Sequence, residues 1–108
     1  MGNGDYLGEF ELVVLLTLFH LGEEAYGMTI RLEIEERTGR SVSIGAVYTT
    51  LRRLQRKGYA SSRLGAPSRS RGGRAKKYFT LEPEGLAAVQ RSRQMFANLW
   101  KNVPDPSH

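Results

Sequence analysis

The apolar residues of this chain change period partway along, and that change limits the folds open to it. Ile44, Val47, Leu51 and Leu54 recur at spacings of 3, 4 and 3, the stripe of one helix face, with Ser43 before them as N-cap. Past Gly58 the pattern gives way to two short runs rich in β-formers, Tyr59–Leu64 and Lys76–Leu81. Between them lies Gly65-Ala66-Pro67-Ser68-Arg69-Ser70-Arg71-Gly72-Gly73, a loop composition too long for a tight hairpin. A helix followed by a ribbon with a long loop is the expected unit.

The flanking segments read as helices. Residues 1–5 are Gly/Asn-rich and expected to be loose. From Tyr6 to Leu21 the apolar residues are too dense for a one-sided amphipathic helix, so this helix needs cover on several sides. Gly22 stops it. Ala25–Thr38 forms a second helix, with Tyr26, Ile30 and Ile34 on one face, Gly27 beside them for close approach, and Met28 and Leu32 as a small apolar strip opposite. Glu82-Pro83 opens a last helix carrying Leu86, Val89, Phe96, Leu99, Trp100 and Val103, which Pro104 ends. The fold class is mainly α with a small β-ribbon (α+β). The expected division is a loose start (1–5), a domain of three helices and a ribbon (6–82), a C-terminal helix (83–103) and a loose tail (104–108). A chain of 108 residues fits one modest core, without internal repeats or a dividing linker.

Charge then narrows the function. Arg37, Arg40, Arg52, Arg53, Arg56, Lys57, Arg63, Arg69, Arg71, Arg74, Lys76 and Lys77 stand in a window without one Asp or Glu, and all 11 carboxylates lie outside it. A one-sign block on folded structure is the footprint of a polyanion, with nucleic acid the leading candidate. Arg37 and Arg40 have a blander use as partners of Glu33 and Glu36. With no Cys, and with His20 and His108 far apart, no metal or nucleophile constellation exists, so neither a cofactor nor an enzyme is expected. Glu9 and Glu11 precede the apolar run Leu12–Leu16, which is unlike a signal peptide, and no apolar stretch reaches a membrane span. A soluble cytoplasmic protein is expected.

Three helices, a two-stranded ribbon and a basic loop make the winged helix-turn-helix order. In such an arrangement the third helix enters the major groove of double-stranded DNA, and its neighbours fix register on phosphates. Ser43, Gly45, Ala46, Tyr48, Thr49, Arg52, Arg53 and Arg56 are the candidate contacts on that helix. Gly45 and Ala46 let the backbone approach, Thr49 can meet a base or a thymine methyl, and an Arg can hold guanine bidentately. Tyr48 lies at the edge of the core stripe, with a packing role for its ring and a phosphate within reach of its hydroxyl. The wing candidates are Arg69, Arg71, Gly72, Gly73, Arg74, Lys76 and Lys77. Tyr78 and Phe79 are read as ribbon packing.

Several separated motifs, in order, resemble the PadR-like transcriptional regulators. They are Leu7-Gly8-Glu9-Phe10-Glu11-Leu12, Tyr26-Gly27, the run Ser43 to Leu54 (SIGAVYTTLRRL), Lys57-Gly58, and the run Arg71 to Phe79 (RGGRAKKYF). The resemblance covers roughly Leu7 to Gly85. It implies a homodimeric repressor that binds an inverted-repeat operator and is released by a small aromatic or drug-like effector. The single long C-terminal helix resembles the short branch of the family, in which the first and last helices make the dimer. Leu7, Phe10, Val14, Leu86, Val89, Phe96, Leu99, Trp100 and Val103 are the candidate interface, with Phe96 and Trp100 the candidates for an effector contact. Glu82 departs from the family's usual cap, and Ala75 stands where a basic residue is common. Two other readings stay open: a non-specific nucleic-acid-binding protein and a winged helix used only for protein interaction.

Overall fold

The computed structural model describes residues 6–66 and 75–106. The wing candidates Arg69, Arg71, Gly72, Gly73 and Arg74 therefore lie outside the described residues. In chain order the elements are α1 (Glu9–Leu21), a 3-10 turn at Gly22–Glu24, α2 (Gly27–Thr38), α3 (Ile44–Arg56), β1 (Ala60–Leu64), β2 (Lys77–Leu81) and α4 (Pro83–Trp100).

α1 begins at Glu9 rather than Tyr6 because the capping contact sits there: the Gly8 N–H donates to Oε1 of Glu11 at 2.8 Å. Val14, Leu15 and Leu18 enter the core, whereas Leu16 and Phe19 are left exposed. α2 starts two residues later than expected, since Ala25 and Tyr26 are taken into the sheet. The Phe79 N–H donates to the Ala25 carbonyl at 2.8 Å, and Tyr26 forms an antiparallel bridge with Tyr78. Thr29 caps the helix, accepting from the Tyr26 N–H at 2.9 Å and donating to the Glu24 carbonyl at 2.6 Å. Ile30 and Ile34 are fully buried, and Met28 and Leu32 are exposed.

Ser43 caps α3 as expected, its Oγ accepting from the Ala46 N–H at 3.0 Å. Val47, Leu51 and Leu54 are fully buried, worth about 1.5–3 kcal/mol each in area removed from water. Ile44 departs from the expected stripe: on the first turn of α3, it is 39% exposed. Thr50, outside the expected stripe, is buried as well.

β1 and β2 pair antiparallel, from Ala60 opposite Leu81 to Leu64 opposite Lys77. Phe79 points into the core, edge-on to the Tyr48 ring. The Gln55 amide donates to Ser62 Oγ at 3.0 Å, so α3 and the ribbon are fixed to each other by packing and by a hydrogen bond.

α4 is rooted by its first two turns. Gly85, Ala88 and Val89 are buried, and a Cβ on Gly85 would sit 2.3 Å from the Tyr59 carbonyl oxygen, which no side chain tolerates. Glu82 does not cap its own helix with its side chain; its carboxylate accepts from the Ser61 hydroxyl, tying the helix start to β1. Beyond Val89, Met95, Phe96, Leu99 and Trp100 are all exposed. The helix ends at Trp100, earlier than expected, with Asn102 at φ 66° and Val103 past the end. Two of the residues expected at a subunit contact are corrected here: Val14 (0% exposed) and Val89 (8%) are consumed by the protomer's own core. Among the described residues no helix is long and apolar enough to cross a membrane.

Candidate nucleic-acid interface

One face of α3 is left uncovered, and its chemistry changes along the helix. Gly45, Ala46, Thr49, Arg52, Arg53 and Arg56 are all exposed. The first turn presents the small Gly45 and Ala46 next to a partly exposed Ile44, behind the Ser43 cap. Further along, Arg52 donates to Thr49 Oγ1 at 3.5 Å, which leaves most of the guanidinium donors open. Among the described residues, neither Arg52 nor Arg56 has a carboxylate within ion-pair distance.

Tyr48 is half-buried, and its position is set by Gly27. A Cβ on Gly27 would lie 2.5 Å from the Tyr48 hydroxyl, so the missing side chain is what lets the ring lie across the start of α2. The ring also meets Phe79 edge-on at 6.2 Å. Tyr48 therefore joins α2, α3 and β2, consistent with the packing role read for its ring.

The other end of the α3 face is different. Lys57 Nζ donates to both carboxylate oxygens of Glu11, at 2.9 and 3.2 Å, and Arg53 Nη1 stands 4.0 Å from the same carboxylate. Glu11 is 6% exposed. Burial pushes its carboxyl upward, but the Gly8 N–H, the Lys57 hydrogen bond and the Lys57 and Arg53 charges outweigh that, leaving it below its ordinary value. It stays ionised. Arg37 pairs with Glu33 as expected, but Arg40 reaches Glu9 at 3.2 Å rather than Glu36, and its guanidinium lies 5.7 Å from the Phe10 ring centre. The basic window thus lacks carboxylates in sequence only; in space, α1 supplies two.

At the root of the wing, cations alternate with rings. Arg63 lies 4.7 Å over Tyr78, Tyr78 meets Tyr26 edge-on at 5.4 Å, and Lys76 lies 4.6 Å over Tyr26. Lys77 stands 5.8 Å from Phe79 on the opposite face of the ribbon. Lys76 and Lys77 are thus both held at the base of the wing, on opposite sides. Sequence reasoning missed Arg63, Tyr26 and Glu11 as parts of this surface. The alternation of Tyr26, Lys76, Tyr78 and Arg63 becomes visible only once the Tyr26–Tyr78 bridge is known.

The residues expected at a subunit contact fall into two groups. Leu86, Phe96, Leu99, Trp100 and Val103 are exposed, and Leu7 and Phe10 are half-buried. Among the described residues no group of three or more His, Asp or Glu side chains could hold a metal ion.

Comparison with known proteins agrees with this geometry. The model of the transcriptional regulator PadR-like family matches residues 15–91. The fold is similar to a PadR-like transcription factor from Bacteroides fragilis (23% identity over 87% of this chain and 85% of the other, TM-score 0.74). It is also similar to a PadR family regulator from Clostridium difficile (24% identity, 87% and 93% covered, TM-score 0.73). F93 from STIV, a winged-helix DNA-binding protein, matches at 16% identity over 90% and 97% of the two chains, with TM-score 0.69. No curated protein sequence matches. A family match over most of the chain, on a winged-helix DNA-binding fold, means that this protein belongs to the PadR-like family of transcriptional regulators, which are not enzymes.

Proposed function

We propose that the protein is a cytoplasmic homodimeric repressor that reads an inverted-repeat operator with α3 and holds the phosphates with its wing. The observation that carries this reading is the uncovered α3 face, small at Gly45 and Ala46 and cationic at Arg52 and Arg56, which meet no carboxylate among the described residues. Thr49, Arg52 and Arg53 carry base discrimination, while Lys76, Lys77 and the wing residues Arg69, Arg71 and Arg74 contribute affinity through phosphates. Ser43 shapes the helix start by accepting from the Ala46 N–H, which leaves its O–H to donate to a phosphate.

The domain (6–82) binds DNA, and α4 beyond Val89 pairs the subunits. The exposed Phe96, Leu99 and Trp100 support this, since apolar side chains of that size left in water favour association. An isologous contact between two such helices closes on itself and sets two α3 helices roughly 34–36 Å apart, one DNA turn. A small aromatic effector between subunits at Phe96 and Trp100 releases the operator by shifting that spacing. Selection of bound duplexes from random DNA tests the core of the reading. A palindrome with half-sites one turn apart is expected; recovery of unrelated sequences would overturn it in favour of non-specific binding.

A further inference from the structure

Twelve basic residues stand in the carboxylate-free window, yet the α3 face does not present them equally. At its C-terminal end a single buried carboxylate from another helix meets two of them. Glu11 lies 46 residues from Lys57 in sequence, receives two hydrogen bonds from its ammonium, and has Arg53 at 4.0 Å. Its side chain is 7% exposed, against 25% for Lys57 and 46% for Arg53. The carboxylate is therefore inside, and the cations lie between it and solvent. The Gly8 N–H fixes its orientation from behind, so Glu11 cannot turn away from them without uncapping α1.

Two consequences follow from electrostatics. A cation already neutralised at close range has little left to offer a phosphate, because counterion release scales with the charge it brings. A cation at 4.0 Å from a fixed carboxylate is biased but not locked, so Arg53 leaves Glu11 only for a partner that repays the loss with a directed contact. A guanine edge, which takes an Arg bidentately, is such a partner; a diffuse phosphate array is a poorer one. Arg52 and Arg56, which meet no carboxylate among the described residues, are not held back in this way.

We infer that Glu11 is a positioning residue for operator selectivity: it withholds Lys57 from the DNA backbone and makes the engagement of Arg53 conditional on a matching base. This rests on the reading that α3 faces DNA. Because Glu11 belongs to α1, the helix expected to join the subunit contact, the same carboxylate ties the aim of α3 to the start of that helix.

The experiment uses the full chain, the selected duplex and a random-sequence duplex, titrated between about 50 and about 200 mM salt. Wild type must prefer the selected duplex. Glu11→Gln keeps the acceptor for Gly8 but removes the charge. Its log–log salt slope on random duplex should steepen by roughly one unit for each cation released, and its ratio of selected to random affinity should fall. Lys57→Gln should leave the slope at the wild-type value, because that ammonium is already neutralised. A merely structural Glu11 would weaken both duplexes together without steepening the slope, and that result overturns the inference. So does a slope that falls by about one unit in Lys57→Gln, which would make Lys57 a phosphate contact. Should Glu11→Gln not fold, Glu11→Asp takes its place: its shorter arm draws the carboxylate back from Lys57 and Arg53, and a slope that does not steepen overturns the inference. A wild type with no preference between duplexes overturns the parent reading and this one with it, and is plainly distinct from a selective wild type whose slopes ignore Glu11.

Discussion

α3 and α4 each carry an uncovered face, and the two faces are chemical opposites. On α3 the exposed positions are Gly45, Ala46, Thr49, Arg52, Arg53 and Arg56; on α4 beyond Val89 the exposed apolar positions include Met95, Phe96, Leu99 and Trp100. Both helices are anchored by a buried stripe, Val47, Leu51 and Leu54 in one and Gly85, Ala88 and Val89 in the other. Exposure by itself therefore carries no information about what is missing. The cationic, small face is content in water and waits for a polyanion, whereas Leu99 at 67% exposed and Trp100 at 59% are costly in water, which is the ground for proposing a subunit contact there. If that contrast is right, the two faces can be disabled separately.

The largest separation comes from α4. Phe96→Asp with Trp100→Asp should convert the protein to a monomer by light scattering. Operator affinity should drop about 10²–10⁴-fold through loss of bivalency, with random-duplex binding per protomer retained. A double variant that stays dimeric shows that the subunits meet elsewhere. A chain stopped after Val89 sharpens the result, because it removes the exposed turns and keeps the buried root.

The converse variant leaves the dimer alone. Arg52→Ala should cost ~1–3 kcal/mol of operator binding if the side chain holds a guanine, and should relax preference at one position per half-site. Molecular mass should not change. Arg53→Ala should cost less than Arg52→Ala, since part of its interaction in the free protein is with Glu11 at 4.0 Å. An Arg53 effect larger than that of Arg52 would reverse the assignment of the principal reader.

What separates these faces was only partly legible in the sequence. The 3-4-3 stripe of α3 and the β-rich runs of the ribbon are local periodicities, and the elements appear within a few residues of where the periodicities place them. The expected α4 face contains both Val89 and Phe96, and nothing in helical spacing says which turn leaves the domain. That depends on where Tyr59 and Leu81 end up, and Gly85 is the sole local sign of the close approach. Val14 was indistinguishable from its neighbours in a run of five apolar residues. Ile44 fits the stripe by spacing yet is 39% exposed, because spacing fixes which face a residue shares and not how far along the helix that face is covered. The Glu11 contacts span 46 residues and leave no trace in a linear charge count. For the same reason Arg40 pairs with Glu9, 31 residues away, instead of an acid on the adjacent helix.

A smaller effect tests the base of the α3 face. Ser43→Ala removes the cap that accepts from Ala46 and should lower stability by ~0.5–2 kcal/mol, whereas Ser43→Gly should cost only a few tenths. Both should bind random duplex with the wild-type salt slope, because no cation is moved. Weaker random-duplex binding at an unchanged slope would mean that the Ser43 hydroxyl meets a phosphate as well as the helix, since a neutral donor releases no counterion.

The smallest expected effect is the pH dependence that Glu11 contributes to folding. Its carboxyl is held below the ordinary value of 4.5 in the folded chain. A lowered folded pKa means that the unfolded chain binds the proton more readily. The stability it confers is therefore fully present above the unfolded value and is lost as pH falls through the folded one. Burial opposes the Gly8, Lys57 and Arg53 contacts, so the net displacement is a difference between opposing effects and the slope should be shallow. Urea unfolding from neutral pH down through the carboxylate range should show wild type losing stability more steeply than Glu11→Gln, with the two curves converging at the acid end. Glu9→Gln is the internal control, because Glu9 is exposed and its Arg40 pair lies at the surface, where an ion pair is worth little. Parallel curves for wild type and Glu11→Gln would mean that the carboxylate is no better held in the folded chain than in the unfolded one, and the ties between α1 and the end of α3 would then be packing alone.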